Sequence, residues 1–262
     1  MKKLLLALTA VAAFTGSASA ADLAARPYTK APPPVAPAYS WTGFYIFGGA
    51  GGGLWNADGH TQATGTNAAL GIDTRSGGSG WFGTVGAGYD WQISPSWVFG
   101  ILADGQFGDM RGNINDTVFG WTGREKLEDQ WAAGVRLGYL VAPNVLSYVN
   151  GGYAGAHFSG TTLVSIASGL PVGVHTNSFN RNGWFVGGGV ENNLNIFGIT
   201  APGWFMKTEY RSSFYDQKTA TEFTDVGNLP TGRDIRFNNW NQTISTSLVY
   251  RFNWTGPVVA KY

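Results

Sequence analysis

The sequence has no cysteine, only 13% charged residues and a mean hydropathy of −0.07. Each shortage excludes a class. Without cysteine, the chain has no lipid anchor of the lipoprotein kind. Its charge content falls well short of the roughly 25% of a soluble domain. Past the first twenty residues there is no run of about 20 apolar residues, the length a membrane-crossing helix requires. Neither a basic footprint nor an acidic tail is present, so nucleic acid is not an expected partner.

What the chain has in abundance is glycine (39), tryptophan (11), phenylalanine (16) and tyrosine (11). Few charges, many aromatics and no apolar 20-mer fit a transmembrane β-barrel, which hides its apolar surface in every second residue. The N-terminus reads as a secretory signal over residues 1–20. Lys2 and Lys3 precede an apolar core, Leu4 to Phe14, and Ala18-Ser19-Ala20 is a small-residue cleavage site. Removing the two lysines turns a formal charge of +1 into about −1. Residues 21–40 carry Pro27, Pro32, Pro33, Pro34 and Pro37 and read as an extended proline-rich linker. The barrel is expected over 41–254, with a C-terminal extension at 255–262.

Eight strand-like segments follow the linker: Trp41–Trp55, Gly80–Gln92, Trp97–Gly108, Gln130–Val141, Leu146–Phe158, Gly183–Asn193, Trp204–Phe214 and Asn239–Phe252. Most are close to the roughly 9–11 residues that cross a bilayer at a tilt. The connections alternate strictly. Those at 56–79, 109–129, 159–182 and 215–238 are long and rich in Asn, Thr, Gly, Asp and Ser. Those at Ile93–Ser96, Ala142–Val145 and Leu194–Gly203 are short, and Pro95 and Pro143 mark two of them as turns. This plan predicts an all-β, eight-stranded, antiparallel up-and-down barrel with four long external loops and three short periplasmic turns. Tryptophans support it. Trp41, Trp81, Trp91, Trp97, Trp131, Trp184, Trp204 and Trp240 fall near segment ends, as do Trp55 and Trp254, where aromatic girdles sit. Trp121 alone falls inside a predicted loop.

Side chains alternate faces along a strand. An Arg or Lys facing lipid at the midplane costs about 2–4 kcal/mol. The charges within the segments are therefore expected inside: Asp90, Asp104, Arg136, Glu191, Lys207, Glu209, Arg211 and Arg251. The opposite phase is apolar, most clearly where Trp204, Met206 and Tyr210 oppose Lys207, Glu209 and Arg211. An eight-stranded barrel is just wide enough for side chains to fill it. These four acids and four bases should thus form an ion-pair network that is structural and blocks free diffusion. Gly86, Gly88, Gly134, Gly138, Gly187 and Gly189 share that phase, and are expected to leave room for the long charged groups. Segments one and five carry no charge, so their facing stays open.

Other motifs carry little. Gly48–Gly53 is not G-x-G-x-x-G, because Leu54 stands at the last position. His60, His157 and His175 lack metal spacing; no metal, cofactor or catalytic residue is expected. One enzymatic alternative is His157-Phe158-Ser159, a base and a nucleophile two apart, as in lipid-modifying barrel hydrolases. It lacks a nearby carboxylate to orient the base.

Two stretches carry a resemblance: Ser40-Trp41-Thr42-Gly43-Phe44-Tyr45 and Leu248-Val249-Tyr250-Arg251-Phe252-Asn253-Trp254, the latter followed by Gly256-Pro257-Val258-Val259-Ala260-Lys261-Tyr262. With the signal, the Ala21-Asp22-Leu23 start and the linker, they resemble the small outer-membrane β-barrel proteins of alphaproteobacteria, often labelled porin-family or outer-membrane immunogenic proteins. The resemblance implies an outer-membrane location, surface exposure and folding by the barrel-insertion machinery, with Tyr250 and Phe252 as the C-terminal insertion signal. Outer-membrane lipid and lipopolysaccharide are the other expected partners, with an unnamed surface ligand at the loops. The functional expectation is an envelope-integrity or surface-interaction barrel; the alternative is a narrow diffusion channel. Oligomeric state stays open.

Overall fold

A computed structural model describes residues 40–252 apart from 197–198. The signal segment, nearly all of the linker, Trp254 and the extension at 255–262 lie outside the described residues. Ten strands follow in order: β1 Gly43–Ala63, β2 Thr74–Gln92, β3 Trp97–Asp116, β4 Trp121–Ala142, β5 Val145–Phe158, β6 Thr161–Ser165, β7 Pro171–Thr176, β8 Phe179–Ile196, β9 Ile199–Thr224 and β10 Pro230–Arg251. Eight of them form an antiparallel ring. Consecutive partners run from β1 through β5 to β8, β9 and β10, and β10 closes on β1 from Tyr45↔Arg251 to Ala63↔Arg233. The short β6–β7 hairpin is stitched to the distal edges of β4 and β9. The proximal end carries the short turns; the distal end carries the hairpin tips.

Two outward rings of aromatics set the membrane band. Trp91, Phe99, Trp97, Tyr139, Trp204 and Tyr250 form the proximal ring, with Trp97 against Tyr139 at 5.3 Å and Trp204 against Tyr250 at 5.1 Å. Trp81, Phe107, Trp131, Tyr153, Trp184, Phe214 and Trp240 form the distal ring, with Trp184 against Phe214 at 4.4 Å. Trp81 to Trp91, Trp204 to Phe214 and Trp240 to Tyr250 each span ten positions. Ten residues of strand tilted at about 40° rise roughly 25 Å, the height of an apolar barrel band.

The strands continue far past the distal ring, which corrects the expectation of four long loops. Most of 56–79, 109–129, 159–182 and 215–238 is strand. The reason is an inversion of the alternation. Inside the band, Ile244 and Leu248 of β10 face lipid while Thr243 and Ser247 face the lumen. Beyond it, Ile235 and Phe237 face inward while Arg236 and Asn238 face out. A wall in water needs polar residues outside and apolar ones inside, so segments rich in Asn and Thr still alternate with period two. Register shifts at Phe107/Met110, Leu127/Asp129 and Phe237/Asn239 fall just beyond the distal ring, where β-bulges bend the wall. Trp121 is accordingly the first residue of β4 and not part of a loop.

Facing of the two chargeless segments is now defined. In β1 the odd positions Tyr45, Phe47 and Trp55 point inward; in β5 the even positions Leu146, Tyr148, Ala154 and Phe158 do. Trp41 and Trp55 share the inward phase of β1. Trp41 is therefore not part of the girdle: it is 1% exposed and closes the lumen floor. Lumen glycines make room for several kinds of neighbour: the strand backbone at Gly134, Leu146 at Gly138, Asn150 at Gly187, Asp104 beside Gly86, and aromatic rings. A Cβ on Gly86 would strike the Phe47 ring, one on Gly88 the Tyr45 hydroxyl, one on Gly189 the Tyr148 ring and one on Gly112 the Trp55 ring; only one on Gly100 would meet Asp90. Gly112→Val should therefore destabilise the barrel by about 1–3 kcal/mol through overpacking. Denaturant unfolding in micelles should also show that Trp55→Ala, introduced beside it, removes most of that penalty.

Candidate functional site: a filled lumen

From floor to distal mouth the lumen is occupied by layers of buried side chains. The floor is Trp41 packed on Phe205 at 5.1 Å, with Val98, Leu146 and Val249. The Trp41 indole N–H donates to the Pro143 carbonyl at 3.2 Å, across the barrel end.

Above the floor lies a quartet of charges from four strands. Arg136 of β4 contacts Asp90 of β2 and donates to Glu191 of β8 at 3.0 Å. Arg251 of β10 reaches the same two carboxylates, Asp90 at 2.8 Å and Glu191 at 2.7 Å. Each guanidinium bridges both acids, so the four form a closed square. Its faces are covered by Tyr45, whose ring lies 4.4 Å from the Arg136 guanidinium, and by Trp41, 4.5 Å from that of Arg251. All four charged groups are 0–4% exposed.

A second cluster stands distal to the first. Arg211 and Glu209 of β9 are 2.7 Å apart, and Arg211 also holds Asp104 of β3 at 2.7 Å. Lys207 approaches Glu209 at 3.6 Å and lies 3.3 Å from the Phe47 ring centroid. The Tyr148 hydroxyl of β5 donates to Glu209 at 2.8 Å and joins the two clusters, because its ring also faces Arg136. All eight charged residues expected in the lumen are thus buried there, and the structure brings them together as two linked groups. Gln130 donates to Gln106 at 2.6 Å and accepts from the Tyr215 hydroxyl at 2.8 Å, forming a neutral layer above.

Sequence reasoning missed most of the layers beyond the membrane band: Met110, Leu127 and Phe237 lay in segments taken for loops, and Trp55 and Phe158 lay in predicted strands where no charge marked them as inward. Trp55, Phe82, Met110, Leu127, Phe158 and Phe237 build an apolar plug. Within it Arg181 is held among the rings of Phe158, Phe179 and Phe237, at 5.5, 5.4 and 4.1 Å. Burial lowers the pKa of Arg181 to about 10, against the attraction of Glu125. Burial likewise pushes the Glu125 carboxyl up to about 8, and Arg181 only partly offsets it. The mouth is closed by a clasp. Arg233 of β10 holds Glu222 of β9 at 2.9 Å and Asp116 of β3 at 3.6 Å, while Phe119 and Trp121 cover its guanidinium at 4.4 and 4.8 Å. Burial and then Asp116 raise the pKa of Glu222, despite Arg233.

The girdle and terminal residues lie outside this core. Trp81, Trp91, Trp97, Trp131, Trp184, Trp204 and Trp240 are all exposed on the outer wall, as is Phe252, edge-on to Tyr250 at 5.0 Å. The hydrolase alternative is not supported by the geometry. His157 faces outward and pairs with the Asn180 amide oxygen at 2.6 Å, while Ser159, past the end of β5, donates to the Lys126 carbonyl at 3.3 Å. Base and nucleophile are each engaged elsewhere, and Glu191 belongs to the proximal quartet.

Comparison with known proteins agrees with this architecture. The family described as "Outer membrane protein beta-barrel domain" matches residues 6–252. The 31 kDa outer-membrane immunogenic proteins of Brucella melitensis and Brucella suis are each 31% identical over 266 residues, covering 96% of this chain and 100% of theirs. Among solved structures, the outer membrane protein OprG from Pseudomonas aeruginosa superposes with a TM-score of 0.51 at 12% identity, covering 80% of this chain and 97% of that one. At that identity the likeness is one of fold.

Two outcomes follow from the lumen. Arg251→Ala leaves Asp90 and Glu191 short of a bridging cation and should cost about 3–5 kcal/mol in urea unfolding followed by tryptophan fluorescence. Glu125 binds more protons folded than unfolded between its ordinary pKa and about 8, so its contribution to stability falls as pH rises through that window. Glu125→Gln should match wild type at about pH 5 and unfold at higher urea than wild type at about pH 9; equal shifts at both pH values would contradict the assignment.

Proposed function

This chain belongs to the outer membrane protein β-barrel family and resides in the outer membrane, and from that premise we propose that it is a closed, non-conducting barrel whose working part is the surface it raises outside the cell. One observation carries this reading. Buried side chains occupy the lumen continuously, from Trp41 at the floor through the paired charges and the aromatic plug to the Arg233 clasp. Every barrel strand contributes, so an open path would require several layers to move together.

The role is non-enzymatic. The outward His157 and the Ser159 hydroxyl do not meet, and the Asp90 and Glu191 carboxylates are committed to arginines. The outer wall suits lipid between the girdles. Beyond the distal girdle, outward Arg75, Arg111, Arg124, Lys126 and Arg236, mixed with Asp58, Asp109 and Glu128, suit the charged sugars and phosphates of lipopolysaccharide. Tyr250 and Phe252, at the end of β10, suit recognition by the barrel-insertion machinery.

Planar-bilayer recording of the refolded protein tests this. Wild type should show no steady single-channel steps. Arg136→Ala removes one of the two guanidiniums that bridge Asp90 and Glu191 and should also stay closed, because Arg251, the floor and the apolar plug remain in place. A large, steady wild-type conductance would sink the proposal in favour of a narrow diffusion channel.

A further inference from the structure

The distal tips carry exposed apolar side chains, with Phe119 lying over Arg233 and against Trp121. Ile72, Phe119, Ile166, Leu170, Val226 and Leu229 are 55–89% exposed. They occupy the apices of all four external hairpins. The membrane the barrel crosses does not account for them. From Trp240 in the distal girdle to Pro230 is ten residues of strand, so these apices stand roughly 25 Å beyond the band. Exposed apolar groups gathered in one region mark an interaction site.

The tips are also joined into one crown. The Thr117 hydroxyl donates to the Ile72 carbonyl at 3.3 Å, linking the first tip to the second. The Ile166 N–H donates to the Gly120 carbonyl at 2.9 Å, linking the second to the third. The Asp225 N–H donates to the Gly173 carbonyl at 2.8 Å, and the Thr64 N–H to the Gly232 carbonyl at 2.9 Å, which completes the circuit. Hydrogen bonds within the tips, from Ser165 to Leu170 and from Thr224 to Leu229, satisfy much of the apical backbone. An apex with its polar groups already paired loses less on leaving water.

We propose that this crown is a docking surface for an apposed lipid bilayer with zwitterionic headgroups, into which the apical side chains insert. The proposal rests on the surface-contact reading above and names the partner. Three features favour lipid over protein. The side chains are aliphatic with a single phenylalanine, whereas protein hot spots are enriched in Trp, Tyr and Arg and poor in Leu and Val. Leu, Ile, Phe and Val are the residues for which transfer into a bilayer is favourable. They stand on separate convex apices flanked by Gly, Ser and Asn, so each enters between headgroups without requiring a matching cavity. The segments 64–73, 117–120, 166–170 and 225–229 contain Asp73 and Asp225 and no Lys or Arg, which suits a bilayer without net negative charge.

The test uses refolded full-length protein in nanodiscs, mixed with phosphatidylcholine vesicles and floated on a density gradient beside empty nanodiscs. Wild type should float with the vesicles. Raising salt from about 0.1 to about 1 M, which cuts the screening length from about 10 to about 3 Å, should leave this unchanged. Ile72→Ser, Ile166→Ser, Leu170→Ser and Val226→Ser combined should weaken capture at least about tenfold while heat-modifiable gel migration is retained. Because the chain has no cysteine, Val226→Cys carrying an environment-sensitive dye gives a reading free of folding defects. Its emission should shift to the blue on adding the vesicles. Absence of wild-type flotation, capture undiminished in the fourfold variant, or tip-dependent pairing of nanodiscs without vesicle capture would each overturn the proposal. Planar-bilayer conductance does not involve the tips, so the closed-barrel reading stands or falls separately.

Discussion

A backbone crossing hydrocarbon must find every hydrogen-bond partner inside the protein. This chain meets that demand by closing β10 on β1, and most of its other features follow from that closure. A closed ring of eight strands has a narrow interior and an exterior in contact with lipid. Residue alternation then sends each strand's charges to one place. Asp90, Arg136, Glu191 and Arg251 come from four different strands yet meet in one plane, because only the lumen can hold them. Replacing such a network by apolar residues can be neutral or better for stability. Here it also registers opposite walls against one another, since each arginine touches two strands besides its own.

The same ring passes through two solvents. Between the girdles the exterior meets lipid and the interior is polar; beyond the distal girdle the exterior meets water and the interior is apolar. Trp55, Leu127 and Phe237 form a core of the kind a water-soluble barrel has, stacked end to end with the charged core of the membrane part. The bulges at Phe107/Met110 and Leu127/Asp129 sit where the two regimes meet. The two fillings complement each other. The charged layers are screened from water by the apolar plug on one side and by Trp41 and Phe205 on the other.

Much of the membrane part was legible in the sequence, because a charge in a strand names its own face. Lys207, Glu209 and Arg211 defined the inward phase of β9, and each of the other five charges marked the inward face of its own strand against an apolar opposite phase. Where no charge spoke, the phase was silent. Phe44, Tyr45, Ile46 and Phe47 are all apolar or aromatic, so nothing in the pattern said that Trp41 would turn inward. The distal wall was hidden for a different reason. Stretches such as Asn113-Ile114-Asn115 and Arg236-Phe237-Asn238 have strand periodicity, but their polar residues resemble a loop when the surrounding medium is assumed to be lipid. Aromatic rings laid over Gly86, Gly88 and Gly112 could not be read at all, since those pairings lie between strands.

The inverted distal wall also bears on how such a surface can change over generations. In a loop, one residue more or less is absorbed locally. In a strand it turns every following side chain to the opposite face, bringing Ile235 and Phe237 into water and Arg236 into the core. Insertions and deletions are thus confined to the turns near Asn67, Gly120, Gly169 and Gly227, and to the bulges, which already accommodate an extra residue. Variation that evades recognition from outside has little room on this molecule beyond residue replacement on the outward face and changes in the length of four short turns.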